Sequence, residues 1–385
     1  MKKILILGAS ELQLPAIVKA KEMGLFTIVA DYNEKAIGVE FADKFYKEST
    51  LDFDKIFEIS KKESIDGIMT ICSDRPMPII AKIGNILNLN TITYDAALKA
   101  TNKAMMRQAL EKEKVAIPRF YICKNKEDYY KAVNDLGLPV IVKPSDNSGS
   151  RGIYLLDDKK NIQQGYEHSM DNSSNGLILV EEYMIGNEVS VEAFVIEKKC
   201  RIIQVTDKIT SGPPFFVELG HTQPSIYCES KELKDIVKKS VNALNIDSGP
   251  VHVEVMFTDS GPKIVELGAR LGGDHITTDL VPLSTGIDIV KMTIENAIGD
   301  NISRYEKANR CSCIRYIENN CDKYIRMFKS LKLKSLISYH IYPDVKKKVI
   351  ESSNDRLGYF ILSSDKMSEI NNDLNKVENF LKEIG

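Results

Sequence analysis

The run Val251-His252-Val253-Glu254-Val255-Met256-Phe257 is followed by Thr258-Asp259-Ser260-Gly261-Pro262 and then Lys263-Ile264-Val265-Glu266-Leu267. Two β-type runs around a turn predict a hairpin. If its register is symmetric about Ser260, Glu254 and Glu266 stand opposite each other with Cβ atoms about 4.5–5.5 Å apart. Facing carboxylates repel, and burying them uncompensated is costly. A hard divalent cation removes that cost, and a few oxygen ligands completed by phosphate suit magnesium. A solvent-facing hairpin with unpaired glutamates is the competing reading. Strict alternation of the apolar residues onto the opposite face weighs against it. His252 shares the face of Glu254 and reads as a supporting or packing residue. Arg270 follows in Gly268-Ala269-Arg270-Leu271-Gly272-Gly273-Asp274. Glycines let the backbone approach a ligand closely, and the guanidinium fork suits a carboxylate or a phosphoryl group.

Upstream, Ser145-Asp146-Asn147-Ser148-Gly149-Ser150-Arg151-Gly152 follows an apolar strand that ends in Lys143. Small residues let backbone N–H groups converge on an anion, and Lys143 adds charge at the base of the loop. Alone, this is equally a surface hairpin with a solvated lysine. The loop has no Gly-Lys-Ser or Gly-Lys-Thr close, which excludes a P-loop. Leu177 to Val180 runs as a strand into Glu181-Glu182-Tyr183-Met184, whose backbone suits an adenine edge. Glu188 follows, a carboxylate able to accept from ribose hydroxyls. The segment Pro213 to Thr222 reads as a loop carrying Glu218 and His221. A histidine near a carboxylate either recognises an amine and takes its proton or is a satisfied structural histidine.

These residues need elements to hold them. Ile4–Leu7, a helical pattern over Leu12–Met23 and Phe26–Ala30 form a βαβ unit with a parallel sheet. Ile68–Ile71 reads as a further strand. Gly8–Glu11 and Ser73–Arg75 then face one crevice at the carboxyl ends of the strands. Gly8-Ala9-Ser10-Glu11-Leu12-Gln13 lacks the second and third glycines of a dinucleotide fingerprint. A single helix is predicted over Tyr94–Lys114, carrying Asn102, Lys103 and Arg107. The last part, from about Asp300, is lysine-rich and ends in a helix predicted over Ser368–Ile384.

The chain has 385 residues and a formal net charge of -2. That balance argues against nucleic acid or an anionic membrane as the main partner. No apolar run approaches the ~20 residues of a membrane helix. The seven scattered cysteines favour reduced thiols and a cytoplasmic protein.

The order Lys103, Lys143 before a Ser/Gly loop, Glu181-Glu182-Tyr183-Met184, Glu188, Glu254, Glu266 and Arg270 resembles the ATP-grasp superfamily. The stretch Glu266 to Ile276 looks most like the L-amino acid ligases. The resemblance implies an α/β ATP-grasp fold in three parts. They are an N-terminal Rossmann-like domain over 1–94, an ATP-grasp domain over 95–300 with a lid at about 119–183, and a small α+β C-terminal subdomain over 301–385. It implies ATP phosphates on Lys103 and Lys143, with Ser148, Gly149, Ser150 and Gly152 folding over them. Adenine falls to Glu181–Met184 and ribose to Glu188. Two magnesium ions, with manganese as substitute, fall to Glu254 and Glu266. Arg270 steadies an acyl-phosphate, and Glu218, His221, Arg270, Gly272 and Gly273 meet the substrates. Many superfamily members carry asparagine where this chain has Gly268, so a third protein metal ligand is in doubt.

The implied activity is ATP-dependent joining of a small-molecule carboxylate to an amine, by a homodimer. A carboxylase or purine-pathway enzyme using bicarbonate or formate, and a non-catalytic nucleotide-binding protein, are the alternatives.

Overall fold

The structure is a computed structural model and describes residues 1–147, 149, 151–342 and 350–383. Four short strands open the chain: Lys3–Leu7, Phe26–Ala30, Lys44–Tyr46 and Gly67–Met69. They form a parallel sheet in which Lys3–Leu7 lies between Phe26–Ala30 and Gly67–Met69. Ile4, Leu5, Ile6, Ile28 and Val29 are fully buried, as expected of strands covered on both faces. The first helix starts at Leu14 rather than Leu12. Gln13 turns inward instead: its side-chain amide donates to the Ile71 carbonyl, and its oxygen accepts from the Ile71 N–H at 2.9 Å.

The helix predicted over Tyr94–Lys114 is two helices, Tyr94–Thr101 and Lys103–Lys112. Asn102 breaks it, because its backbone is extended and its side chain caps the second helix by accepting from Met105 N–H at 3.1 Å. The break places Lys103 in a first turn, where its backbone N–H donates to the Ser145 carbonyl at 2.7 Å.

An antiparallel sheet of eight strands dominates the rest. Its order is Gly261–Gly268, Gly249–Thr258, Asn187–Ile196, Lys199–Thr210, Glu218–Gln223, Cys311–Ile317, Gly358–Ser364 and Leu336–Ile341. One expectation changes here. Glu218 and His221 lie on a strand rather than in a loop, paired with Lys199–Thr210 on one side and Cys311–Ile317 on the other. Among the described residues the three strands of the C-terminal region extend this sheet. A smaller antiparallel sheet holds Phe120–Cys123, Ile178–Glu182, Val140–Pro144 and Tyr154–Leu156.

Side chains alternate across the large sheet. Val189, Val191, Ala193, Val251, Val253 and Val255 are buried in the main core. Glu188, Ser190, Glu192, Gln204, Thr206, Lys208, His252 and Glu254 hold the alternate positions. One face is therefore apolar and the other is a polar floor.

The hairpin register is not the symmetric one. Near the turn, Thr258 pairs with Gly261, Met256 with Lys263 and Val255 with Ile264. A bulge then intervenes, and Glu254 pairs with Glu266. Val265 is the extra residue. Without it Glu254 would face Val265, and Glu266 would leave the floor.

The parallel sheet touches the helix Ile289–Ala297 closely. A Cβ on Gly67 would lie 2.6 Å from the Ala297 carbonyl oxygen. Gly67→Val should lower stability by about 1–3 kcal/mol, measured by thermal or urea unfolding. An unchanged midpoint would show that this approach is not tight.

Candidate active site

Three carboxylates meet one lysine on the polar floor. Lys208 Nζ lies 2.6 Å from Glu188, 2.9 Å from Glu254 and 3.4 Å from Glu218. Burial would lower the Lys208 ammonium, but the three acids hold it well above its ordinary range. Burial would likewise raise Glu254, but Lys208 and His252 hold it well below the usual carboxylate range. Burial raises Glu188. Lys208 escaped the sequence reading because it stands alone between Asp207 and Ile209. The signal was the alternation Gln204-Thr206-Lys208, matched by Glu188-Ser190-Glu192 on the paired strand.

Glu266 is met from the other side. Lys103 Nζ donates to Glu266 Oε1 at 2.7 Å and to the Asn147 carbonyl at 2.8 Å. One ammonium thus ties the acid to the loop after Lys143. Glu254 and Glu266 are half-buried, opposed by register and each balanced by a lysine. This oxygen-only pair fits a hard divalent cation. Among the described residues no group of three or more His, Cys, Asp or Glu side chains gathers to hold a metal.

Lys143 is buried, with its Nζ 2.7 Å from Glu181 Oε2. Burial lowers its ammonium, opposed by the Glu181 charge. Glu181 is also gripped by Arg107, whose Nε and Nη2 donate to its two oxygens at 2.7 and 3.1 Å. Burial would raise Glu181, but Arg107 and Lys143 together hold it at about 2. This narrows one expectation. The Glu181 carboxylate is locked beneath Lys143, and its backbone is paired to strands on both sides, so it offers nothing to an adenine edge. Glu182 takes the Arg119 N–H at 3.1 Å and lies 3.4 Å from Lys263. Tyr183 and Met184 follow the strand, with the Tyr183 ring 6.3 Å from that of Phe216. In the loop, Gly149 and Gly152 have φ of 66° and 81°. A Cβ on Gly152 would lie 2.5 Å from Asn172 Cβ, so glycine is required there. Ser148 and Ser150 lie outside the described residues.

Arg270 forms a two-pronged pair with Asp74, at 2.8 and 2.9 Å. Burial would raise Asp74, but the Arg270 charge holds it low. Asp74 belongs to the loop after the fourth parallel strand, one of the two segments expected to face a common crevice. It also accounts for Gly268. A Cβ there would lie 2.7 Å from Asp74 Oδ1 and 3.1 Å from Arg270 Nε. Gly272 has no room for a side chain. Its Cβ would lie 2.6 Å from Glu192 Oε1 and 2.7 Å from His252 Nδ1. Its N–H donates to Glu192, and its carbonyl accepts from Thr277, so both backbone groups are already engaged. Gly273 accepts from the Ile276 N–H at 2.9 Å.

His252 Nδ1 lies 2.5 Å from Glu192 and its Nε2 lies 3.7 Å from Glu254. Burial would lower this imidazole, but Glu192 raises it to about 9. His252 therefore supports Glu254 as an imidazolium.

Glu218 and His221 form the second centre. His221 is fully buried, and neither ring nitrogen has a hydrogen-bond partner among the described residues. Its Nε2 lies 3.9 Å from Asp274, and burial lowers its pKa. Asp274 is held by both prongs of Arg356 at 2.9 Å, and Arg356 stacks 3.7 Å over the Tyr316 ring. Burial pushes Glu218 up to about 8, and Asp274 adds to the rise. Asp274 itself stays well below its usual range, since His221 and Arg356 outweigh its burial. Glu218 and Asp274 thus adjoin a buried histidine whose ring nitrogens have no hydrogen-bond partner among the described residues. Arg356 and Tyr316 were not read from the sequence, because nothing in the lysine-rich end marks them.

The floor thus carries Lys103 and Lys143 at one end and the paired acids Glu254 and Glu266 in the middle. Residues 136–279 match the ATP-grasp domain family, so the chain carries an ATP-grasp domain and has the ATP-grasp fold. Phosphoribosylglycinamide synthetase from Anaerococcus prevotii is 26% identical, with a TM-score of 0.77 over 98% of each chain. L-amino acid ligase from Bacillus licheniformis is 19% identical, with a TM-score of 0.82 over 98% of this chain and 97% of its own, a likeness of fold. Phosphoribosylamine–glycine ligase of Methanococcus vannielii is 24% identical, covering 92% of this chain and 82% of its own length. The chain spans only 65% and 30% of the length of two other curated relatives. No helix among the described residues is long and apolar enough to cross a membrane.

The depressed pKa of Glu181 sets an acid limb. Its folded value lies below the unfolded one, so its contribution is present above about pH 4.5 and is lost as pH falls toward about 2. Glu181→Gln should flatten this part of the stability–pH curve, read by urea unfolding between pH 2 and pH 6 (about the range where the carboxyl titrates). A variant curve parallel to wild type would contradict the buried triad.

Proposed function

We propose that this chain is an ATP-dependent carboxylate–amine ligase. It forms an amide through an acyl-phosphate, with an amino acid among its substrates. The observation that carries this reading is the bulged hairpin that sets Glu254 opposite Glu266, between Lys103 on one side and Lys208 on the other. Mere nucleotide binding does not call for opposed acids on a half-buried floor.

In this reading Glu254 and Glu266 hold magnesium, which when bound neutralises charge on the terminal phosphates of ATP. Lys103 and Lys143 face those phosphates, and the loop bearing Gly149 and Gly152 covers them. Tyr183 and Met184 border adenine, and Glu188 accepts from ribose. The substrate carboxylate attacks the γ-phosphorus, giving ADP and the acyl-phosphate. The amine nitrogen then attacks the acyl carbon, phosphate leaves with the C–O bonding pair, and the nitrogen gives up a proton. Arg270, oriented by Asp74, donates to the oxyanion that forms. Glu218, Asp274 and His221 offer acceptors to an ammonium and a place for its proton. Positioning and fixed charge do most of the work. A homodimer in the cytoplasm is the setting this reading expects.

With ATP, magnesium and paired amino acids, the protein should release phosphate and yield products one water lighter than the pair, read by mass spectrometry. Phosphate release supported only by bicarbonate or formate would defeat the amide-ligase reading. Glu266→Gln should cut turnover by about 100-fold or more with the fold intact. Unchanged turnover would remove Glu266 from the cation site.

A further inference from the structure

Arg107 is among the largest fully buried side chains, at 1% exposure. Neutralising Glu181 does not account for it, since Lys143 already stands 2.7 Å from that carboxylate. Two cations and one anion leave the buried triad with excess positive charge, and a methionine would pack at position 107 more cheaply. Its remaining contact is more telling. Arg107 Nη2 also donates to the Val265 carbonyl at 2.7 Å. Val265 is the extra residue of the bulge that brings Glu266 opposite Glu254.

The helix Lys103–Lys112 places Lys103 and Arg107 four residues apart, on one face. From that face Lys103 takes the side chain of Glu266, and Arg107 takes the carbonyl of the residue before it. A bulge leaves a ladder group unpaired, and a buried carbonyl needs a donor. Only a fork can meet that carbonyl and a carboxylate together.

We propose that Arg107 is a positioning residue for the cation site. It fixes the bulge at Val265, and so the place of Glu266, while holding Lys143 through Glu181. The inference rests on the reading of Glu254 and Glu266 as the cation ligands. The hydrogen bonds of Arg107 go to Glu181 and the Val265 carbonyl, so it acts through them. It connects the small sheet of Glu181 to the edge hairpin of the large sheet.

Arg107→Lys keeps the charge beside Glu181 but loses the fork. The test is Mn2+ uptake in the presence of saturating ADP, read by the electron paramagnetic resonance of free Mn2+, set beside ADP binding without metal. Mn2+ affinity should fall by about 10–100-fold, the range for residues that orient a ligand, while metal-free ADP binding changes far less. The double variant Arg107→Met/Glu181→Met leaves no unpaired carboxylate in the triad and decides the matter should Arg107→Lys not fold. It too should lose Mn2+ affinity more than ADP affinity. Wild-type Mn2+ uptake in either folded variant, or equal loss of both affinities, would overturn the inference. A wild-type protein that takes up no Mn2+ with ADP would instead defeat the cation reading of Glu254 and Glu266, and the inference with it.

Discussion

The repulsion between Glu254 and Glu266 is the constraint around which the site is arranged. Register puts the two acids face to face on a half-buried floor, where an unbalanced pair would be costly. The chain balances them from separate places. Lys208 comes from the neighbouring part of the same sheet and Lys103 from a helix. His252, kept charged by Glu192, stands behind Glu254. Each counter-charge is itself buried, so each is held in turn by further groups. The dense polar network on one face of the sheet follows from that one opposition.

Glycine positions show how tightly the network closes. Gly268 leaves room for the Asp74 carboxylate that fixes Arg270, and Gly272 leaves room for Glu192 and His252. The space is taken by the acids that hold Arg270 and His252. The parallel sheet contributes directly too, because Asp74 stands in the loop beyond its fourth strand. A Rossmann-like unit without a dinucleotide fingerprint here supplies a brace for an arginine.

Periodic and local features were legible in the sequence. The alternating valines around Glu254 gave the hairpin, and the first apolar runs gave the parallel sheet. Features set by side chains far apart in sequence were not. The bulge at Val265 is invisible because Val265 is as good a strand residue as its neighbours, and its donor lies 158 residues away. The break at Asn102 sits in a sequence otherwise suited to one helix, and only the cap bond to Met105 reveals it. Glu181 looked like part of a nucleotide-facing motif, yet Arg107 and Lys143 draw its carboxylate inward. Arg356 reaches Asp274 across 82 residues, from a segment whose lysine content hides it.

On the proposed function, the same balance couples the two ligands. With Lys208 and Lys103 in contact with the acids, the floor offers a bare cation little net attraction. A free nucleotide meets Lys103 and Lys143 only in part, because Glu266 and Glu181 already occupy them. In that reading Glu254 and Glu266 would hold the cation and Lys103, released from Glu266, would meet the phosphate, so that opposite charges would exchange partners with none left uncompensated. Such an exchange favours the metal–nucleotide complex over either part. Lys143 would follow less freely, since Glu181 stays clamped by Arg107. A floor with free, unpaired acids would bind metal more avidly but would lose this selectivity for the complex.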